Sequence, residues 1–376
     1  MKMANILKSK DFEQELANNK IDLEIKNSKG YTLFLYTSTR EKYTAQLELI
    51  LKHQKEKVCL QTHKSLGNAL IIATINNNLE GTKVLLRHGF DVNVQGTPGQ
   101  GETPLTISAR NDNFDLVRLL ISNGANVNAK NYAKTTSLMY ATQNQNIEMI
   151  QFLLKNNAEI NAISSSASPL KIALMSNKDE IIKLLIENGA DIRKVRSDLE
   201  PALKIPAQIG NIDMMNYLIE KGADVEWACE RGTTALIAAC SSASCKPEVL
   251  ELLISKGANI HAKTTYNCSV VWHTMTYSKP EVLQILMKHG ATIDEEMEGL
   301  QLFFDVQQPE MVDFLLSNGA NINIRNSYDQ SKYDALVNFV YSLQCLEILD
   351  KHIDKMEEGL KEQYMEQRLQ LLLNAY

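Results

Sequence analysis

Hydrophobic and polar positions recur along this chain with a period of about 33 residues. Residues 101–128 read GETPLTISARNDNFDLVRLLISNGANVN, and residues 134–161 read KTTSLMYATQNQNIEMIQFLLKNNAEIN. Nearly every apolar position of the first segment has a counterpart 33 residues later. Self-similarity at such a period is typical of repeat proteins, in which each repeat is one supersecondary unit.

The repeat can be followed through most of the chain by one marker position, which is glycine in all copies but one. Successive markers are 35, 33, 32, 33, 35, 33 and 29 residues apart. They are Gly89, Gly124, Asn157, Gly189, Gly222, Gly257, Gly290 and Gly319. The pattern therefore predicts an array of stacked repeats rather than several unrelated domains.

Each copy predicts two short helices and an extended finger. Thr103 is a suitable N-cap for the first helix, and Pro104 suits its first helical position. Asn113 separates this helix from a second one, and Gly124 follows that helix where a left-handed C-terminal cap is expected. The second helix carries a wide apolar stripe, formed by Leu116, Val117, Leu119, Leu120 and Ile121.

This pattern resembles the ankyrin repeat family. The resemblance lies in residues 101–105 (GETPL), in the pair Leu119–Leu120 and in residues 124–128 (GANVN), and it extends over roughly residues 20–350. It implies an all-α ankyrin-repeat solenoid of about nine units, including degenerate ends, with fingers like β-hairpins. Only one copy keeps the family's TPL, and the histidine that follows it in the family is absent from every copy.

The ends of the chain depart from the repeat, as is expected where an array must present a polar outer face. We predict an N-terminal capping half-repeat over 1–29, the array over 30–325 and a capping helix pair over 326–353. Residues 354–376 predict a C-terminal helix. We expect it to pack on the last repeat, because its leucines need cover; these are Leu369, Leu371, Leu372 and Leu373. The alternative is that this helix mediates self-association.

Composition and motifs argue against catalysis and against several kinds of ligand. The chain has 376 residues, a net charge of −6 and six cysteines, which favour a protein of a reducing compartment and oppose binding to nucleic acid. No signal peptide, membrane-length apolar run or catalytic motif is present in the sequence. The C-x4-C spacing of Cys240 and Cys245 is wider than zinc sites prefer. We predict no enzyme activity, no metal, no cofactor and no membrane partner, in a monomeric cytoplasmic protein.

Members of the ankyrin family bind other proteins through a concave surface, so the resemblance implies a scaffold with a protein partner. It places Lys64, Gln100, Glu102 and Thr135 on that surface. Aromatic and arginine side chains dominate interface energetics. The candidates on or beside the surface are Arg110, Tyr132, Trp227, Arg231, Trp272, Tyr277, Asp305 and Tyr328. Ordinary packing explains each of them equally well.

An alternative function within the same fold is a secreted effector or viral host-interaction factor, which would bind a host protein through this surface. The abundance of Asn, Lys and Ile, as in AT-rich genomes, motivates it. In that case the chain would act in the host cytoplasm.

Overall fold

The computed structural model describes residues 2–96, 100–192, 201–293, 308–320 and 343–374. The chain divides into two compact units, Met1–Ser197 (unit 1) and Asp198–Tyr376 (unit 2). Helices are the main secondary structure of both units, as the repeat pattern predicts. The predicted boundaries at residues 29, 325 and 353 stay predictions, and residues 321–342, which include the first helix of the predicted capping pair, lie outside the described residues.

Unit 1 contains twelve described helices and one two-stranded hairpin. A 3₁₀ turn at Glu41–Tyr43 precedes the fourth helix. The elements in chain order are α1 (Lys2–Ile6), α2 (Phe12–Ala17), α3 (Leu33–Thr37), α4 (Thr44–Val58), β1 (Thr62–His63), β2 (Gly67–Asn68), α5 (Ala69–Ile75), α6 (Leu79–Arg87), α7 (Pro104–Arg110), α8 (Phe114–Ser122), α9 (Ser137–Gln143), α10 (Ile147–Lys155), α11 (Pro169–Met175) and α12 (Asp179–Glu187).

Unit 2 continues the same alternation of a short first helix and a longer second helix. A 3₁₀ turn at Ile353–Lys355 precedes its last helix. Its described helices are α13 (Lys204–Ile209), α14 (Ile212–Glu220), α15 (Ala235–Cys240), α16 (Pro247–Ser255), α17 (Val270–Tyr277), α18 (Pro280–Lys288), α19 (Pro309–Ser317), α20 (Leu343–Lys351) and α21 (Glu358–Asn374).

The core of each unit lies between successive helix pairs. In unit 1 the first helices α3, α5, α7, α9 and α11 pack in a row. Every residue of α7 from Pro104 to Ala109 is buried. The second helices bury one stripe, which in α8 consists of Leu116, Val117 and Leu120. Because a first helix contacts neighbours on both sides whereas a second helix keeps one face in solvent, the two helices differ in sequence pattern.

The predicted helix ends are confirmed in detail. Thr103 forms a capping box with Thr106 at the start of α7, and the side chain of Asn113 accepts a hydrogen bond from the Leu116 amide. Gly124 has φ +86°, and Asn157, which replaces glycine in the next copy, has φ +64°. Asparagine is the residue that best tolerates this left-handed conformation after glycine.

Fingers connect one helix pair to the next and are hydrogen-bonded to each other. The Tyr132 amide donates to the Gln100 carbonyl oxygen over 2.8 Å, and the Ser165 amide donates to that of Ala133 over 3.0 Å. In unit 2 the Thr265 amide donates likewise to Arg231 over 3.0 Å. Neighbouring finger tips are therefore held side by side.

The C-terminal helix α21 packs through residues other than the leucines that its sequence predicts to be covered. Leu360 and Tyr364 are buried, and the Tyr364 hydroxyl donates to Asp350 Oδ1 over 2.8 Å. Leu369 and Leu373 are 61% and 69% exposed, so the last repeat does not cover these two leucines as expected. The side chains of Leu371 and Leu372 lie outside the described part of the chain. Tyr364 anchors the helix because its ring is buried while its hydroxyl finds a partner.

Within the described residues, no helix combines the length and the apolar character that crossing a membrane requires.

Candidate partner-binding site

Two cavities in unit 1 open between the fingers and the first helices, and we call this surface the finger–helix groove. One cavity of about 370 Å³ lies between Ser65 and Gln100 of the fingers and Ile75 and Arg110 of α5 and α7. The other, of about 610 Å³, lies between Thr135 and Ser165 of the fingers and helices α9 and α11. The groove is the side of the repeat that the ankyrin resemblance assigns to partner binding.

The buried carboxylate of Glu102 contacts one residue that lines each cavity. Glu102 lines the first cavity, and its side chain is 7% exposed. Its Oε2 lies 3.1 Å from Nη2 of Arg110, and its Oε1 accepts a hydrogen bond of 2.8 Å from the hydroxyl of Tyr140. Asn131 Nδ2 in turn donates to the Tyr140 oxygen over 3.1 Å. Since a buried charge is costly unless paired and hydrogen-bonded, this network fastens two fingers to α7 and α9.

The burial of Glu102 differs from what the resemblance implies. The resemblance places Glu102 on the exposed part of the concave surface, but Glu102 is buried and its charge is compensated by Arg110. Arg110 itself, a candidate for partner binding, is held in position by Glu102 and by Gln100. The Oε1 atom of Gln100 accepts a hydrogen bond of 3.2 Å from Arg110 Nη1. The Arg110 side chain is 40% exposed, so one edge of its guanidinium still faces solvent.

The Tyr140 hydroxyl gives the network a pH dependence. Burial, followed by the hydrogen bond to Glu102 and the charge of that carboxylate, raises the pKa of Tyr140 from 10.0 to about 12. Because the folded-state pKa lies above the unfolded one, the stabilisation is complete below pH 10 and is lost as the pH rises towards 12. Tyr140→Phe is expected to flatten the fall of unfolding free energy over this window, as measured by urea denaturation at several pH values.

The control for this prediction is Tyr266→Phe, because Tyr266 is 77% exposed. It should leave the pH profile as in the wild type. An unchanged profile in Tyr140→Phe would contradict the assignment of the transition to this hydroxyl.

Tyr132 is the most accessible predicted candidate in unit 1. It is 64% exposed. Its ring lies against Gly101, where an added Cβ atom would be 2.4 Å from ring atom Cδ1. Gly101 has φ +61°, so both the backbone conformation and the nearby tyrosine ring favour glycine there. Arg110 and Tyr132 are thus brought to the same place through Gln100.

In unit 2 the predicted residues Trp272 and Tyr277 are brought together on α17. Their ring centroids are 6.0 Å apart, and His273 is the third ring of this aromatic cluster, with its centroid 4.9 Å from that of Trp272 and 6.0 Å from that of Tyr277. Trp272 is half-buried and Tyr277 is 43% exposed. The Trp272 side chain therefore supports the helix with one part of its surface and keeps the other part accessible.

Sequence reasoning did not identify His273 as a member of this cluster. Its Nδ1 lies 3.0 Å from Ser241 Oγ, and burial lowers the pKa of its imidazole. One signal could have found it: His273 precedes Tyr277 by four residues, the spacing at which side chains on a helix lie next to each other.

Two of the remaining candidates lie on one finger of unit 2. Arg231 is exposed at a finger tip, and Trp227 is half-buried near the start of the same finger. Asp305 and Tyr328 lie outside the described residues.

Metal binding and thiol chemistry depend on which side chains lie close together. Among the described residues, no cluster of three or more His, Cys, Asp or Glu side chains could hold a metal ion. Cys240 and Cys245 are adjacent free thiols. A hydrogen bond to Cys245, followed by burial, raises the pKa of Cys240, and the same hydrogen bond lowers the pKa of Cys245.

Repeated helix pairs, left-handed glycine caps and hydrogen-bonded fingers define a helical repeat protein of the helix–turn–helix–finger class. A family model described as ankyrin repeats (3 copies) matches residues 94–164, 132–196 and 170–264, and a single ankyrin repeat model matches 306–327. The chain belongs to the ankyrin repeat family. Ankyrin repeats generally mediate protein–protein interaction, and the fold is typically a non-catalytic module.

Individual relatives are more distant. Over 73 residues the chain is 33% identical to a Fowlpox virus (strain NVSL) protein described as "Putative ankyrin repeat protein FPV031", which is 19% of this chain and 21% of the relative. The chain thus matches about a fifth of that relative's length. A crystal structure of the human ASB11 ankyrin repeat domain is similar with a TM-score of 0.49 and 22% identity, over 57% of this chain and 97% of that one.

Proposed function

We propose that this protein is a non-catalytic scaffold that binds a partner protein through the surface that fingers and first helices form in each of its units. The observation that supports this most is the position of the exposed aromatic side chains: Tyr132, Tyr266 and Tyr277 all lie on fingers or on a first helix. Tyrosine is one of the residue types that contribute most of the binding energy at protein interfaces. Second helices of the repeats carry their own apolar residues inward instead.

The cavities support the same surface. Both cavities of the finger–helix groove are lined by polar and apolar side chains, and the apolar ones include Ile71, Ile75 and Ile107 in one cavity and Met139 and Ile172 in the other. Apolar pockets with a few fixed polar groups are the usual form of recognition sites. The Glu102 network holds the groups around them in position before a partner arrives, which lowers the entropy cost of binding.

The test is affinity capture from cell lysate followed by mass spectrometry. The variant Tyr132→Ala/Arg231→Ala/Tyr277→Ala removes three exposed side chains of the proposed surface. The control variant Leu60→Ala/Lys155→Ala/Leu369→Ala removes three exposed side chains elsewhere. We expect the partner to be lost only from the first variant, by at least about tenfold, while circular dichroism stays unchanged in both. Capture by the first variant at wild-type level would refute the proposed surface.

A reducing compartment is the setting we propose for this activity. Cys59, Cys229, Cys240, Cys245 and Cys268 carry free thiols, and proteins of oxidising compartments commonly pair theirs. The monomeric state and the lack of a membrane or nucleic-acid partner remain predictions.

The alternative role as a host-interaction factor is favoured by one observation, the similarity to the Fowlpox virus protein over 73 residues. It predicts that the captured partner is encoded by another organism than the one encoding this chain. A partner encoded by the same genome would contradict this alternative and leave the scaffold function in place.

A further inference from the structure

Lysines occupy the tips of three fingers in unit 1. Lys29 lies in a turn closed by a 3.0 Å hydrogen bond from the Asn27 amide to the Tyr31 carbonyl oxygen. Lys64 lies in the loop between β1 and β2, and Lys134 lies in the turn between residues 131 and 135. All three side chains are exposed, and none forms an ion pair with a carboxylate of the described residues of unit 1.

This row of ammonium groups does not follow from composition, since the whole chain carries a net charge of −6. Two carboxylates lie near the groove. Glu102 is compensated by Arg110, whereas Asp112 keeps its charge, because Asn146, which donates a hydrogen bond of 2.8 Å to its Oδ1, is neutral. The tips of these three fingers therefore carry positive charge that no ion pair with a described residue of unit 1 compensates.

The larger cavity of the groove adds an apolar site beside this charge. Met139 is buried at its base, and Met175 at the end of α11 is 65% exposed beside it. Ser165 and Ser166 of the adjoining finger form its polar edge. Methionine side chains adapt to differently shaped apolar groups, and they are common at surfaces that accept one.

We propose that the finger–helix groove of unit 1 binds an extended acidic segment of a partner protein, with one apolar side chain of that segment in the methionine cavity. The proposal rests on the proposed scaffold function and specifies its partner by chemistry. Carboxylates of the segment meet the three tip lysines, which steer the encounter and fix its direction along the fingers. The apolar side chain supplies the buried anchor, since exposed ion pairs alone contribute little affinity.

The lysines can be removed without disturbing the fold. Lys29→Ser and Lys64→Ser are expected to keep their turns. Lys134 has φ +59°, so Lys134→Asn is preferable there, because asparagine tolerates the left-handed conformation. The matched control Lys20→Ser/Lys55→Ser/Lys155→Ser removes the same charge from exposed lysines outside the fingers.

The experiment selects binders from a random-peptide display library on the immobilised full-length chain. We expect enrichment of peptides rich in Asp and Glu with at least one large apolar residue. Their binding should fall about tenfold in the tip-lysine variant, stay unchanged in the control, and weaken between about 0.05 and 0.5 M salt as screening increases. Selection on Met175→Gln should lose the preference for the apolar residue.

The outcomes separate this inference from the function on which it rests. Groove-dependent peptides without acidic residues, or acidic peptides that bind the tip-lysine variant equally well, overturn the inference and leave the scaffold function standing. Preferential binding of a single-stranded oligonucleotide to the tip lysines overturns it in favour of a different class of ligand. Failure to select any groove-dependent peptide, together with no partner in the lysate capture, overturns both.

Discussion

Replacing Phe34 by alanine is expected to lower the free energy of unfolding by about 3–5 kcal/mol, the cost typical of emptying a fully buried phenylalanine site. Phe34 lies in α3 with no exposed surface, and its ring centroid is 6.1 Å from that of Phe90. It belongs to a core shared by the first repeats, which also contains Leu16 and Leu47. Neighbouring helices cannot close the cavity because each is itself held in a stacked pair.

Urea denaturation followed by two probes measures this effect. Both tryptophans, Trp227 and Trp272, belong to unit 2, so their fluorescence reports that unit, whereas far-ultraviolet circular dichroism reports all helices. Phe34→Ala should shift the dichroism transition more than the fluorescence transition. Phe114→Ala is the control, because the half-buried Phe114 ring keeps solvent contact and packs on Phe152 and Arg118. Equal losses in both variants would show that the N-terminal core is not tightly packed.

Asparagine at position 232 is expected to destabilise unit 2 by about 1–3 kcal/mol, the range for a strained backbone site. Gly232 has φ +73°, and a Cβ atom there would lie 3.0 Å from Thr264 Cα and 3.0 Å from the Thr265 amide nitrogen. Both contacts are backbone atoms of the neighbouring finger, so neither can rotate away. The substitution should strain the hydrogen bond by which Thr265 donates to the Arg231 carbonyl oxygen.

The tryptophan fluorescence transition reports this change, since Trp227 and Trp272 are in the same unit as Gly232. Gly222→Asn is the matched control. Gly222 also has a positive φ, +93°, but no atom lies within 4 Å of the added carbon. Because asparagine tolerates positive φ, the difference between the two variants isolates the contact between fingers. Similar transitions for both variants would mean that the fingers can separate without cost.

The repeat, its helix pairs and its caps could be predicted because they depend on residues close in sequence. Thr103 and Asn113 accept hydrogen bonds from amides three residues on, and Gly124 needs only its own positive φ. The stripe of α8 follows from the helical period. Each copy of the repeat contains the residues for these interactions, and eight copies in register identify the pattern clearly.

The candidate site could be predicted only as a set of positions. The resemblance correctly put Tyr132 and Tyr277 at the surface, but it could not show that Glu102 is buried between Arg110 and Tyr140. Tyr140 is 38 residues from Glu102. A hydrogen bond between two repeats depends on the distance between the fingers and the first helices, and this distance cannot be predicted from the local sequence pattern.

The local sequence determines the backbone conformation that each residue favours, whereas the stacking of repeats determines which side chains it contacts. The local sequence was sufficient to predict the two-helix repeat and its glycine caps from apolar spacing, because the hydrogen bonds of these elements form within one repeat. The stacking determined that Tyr364 rather than Leu369 secures the last helix, and that Lys29, Lys64 and Lys134 stand at finger tips without carboxylate partners in the described part of unit 1. Burial and ion pairing are properties of neighbours that arrive from other repeats, and their placement exists only once the repeats are packed.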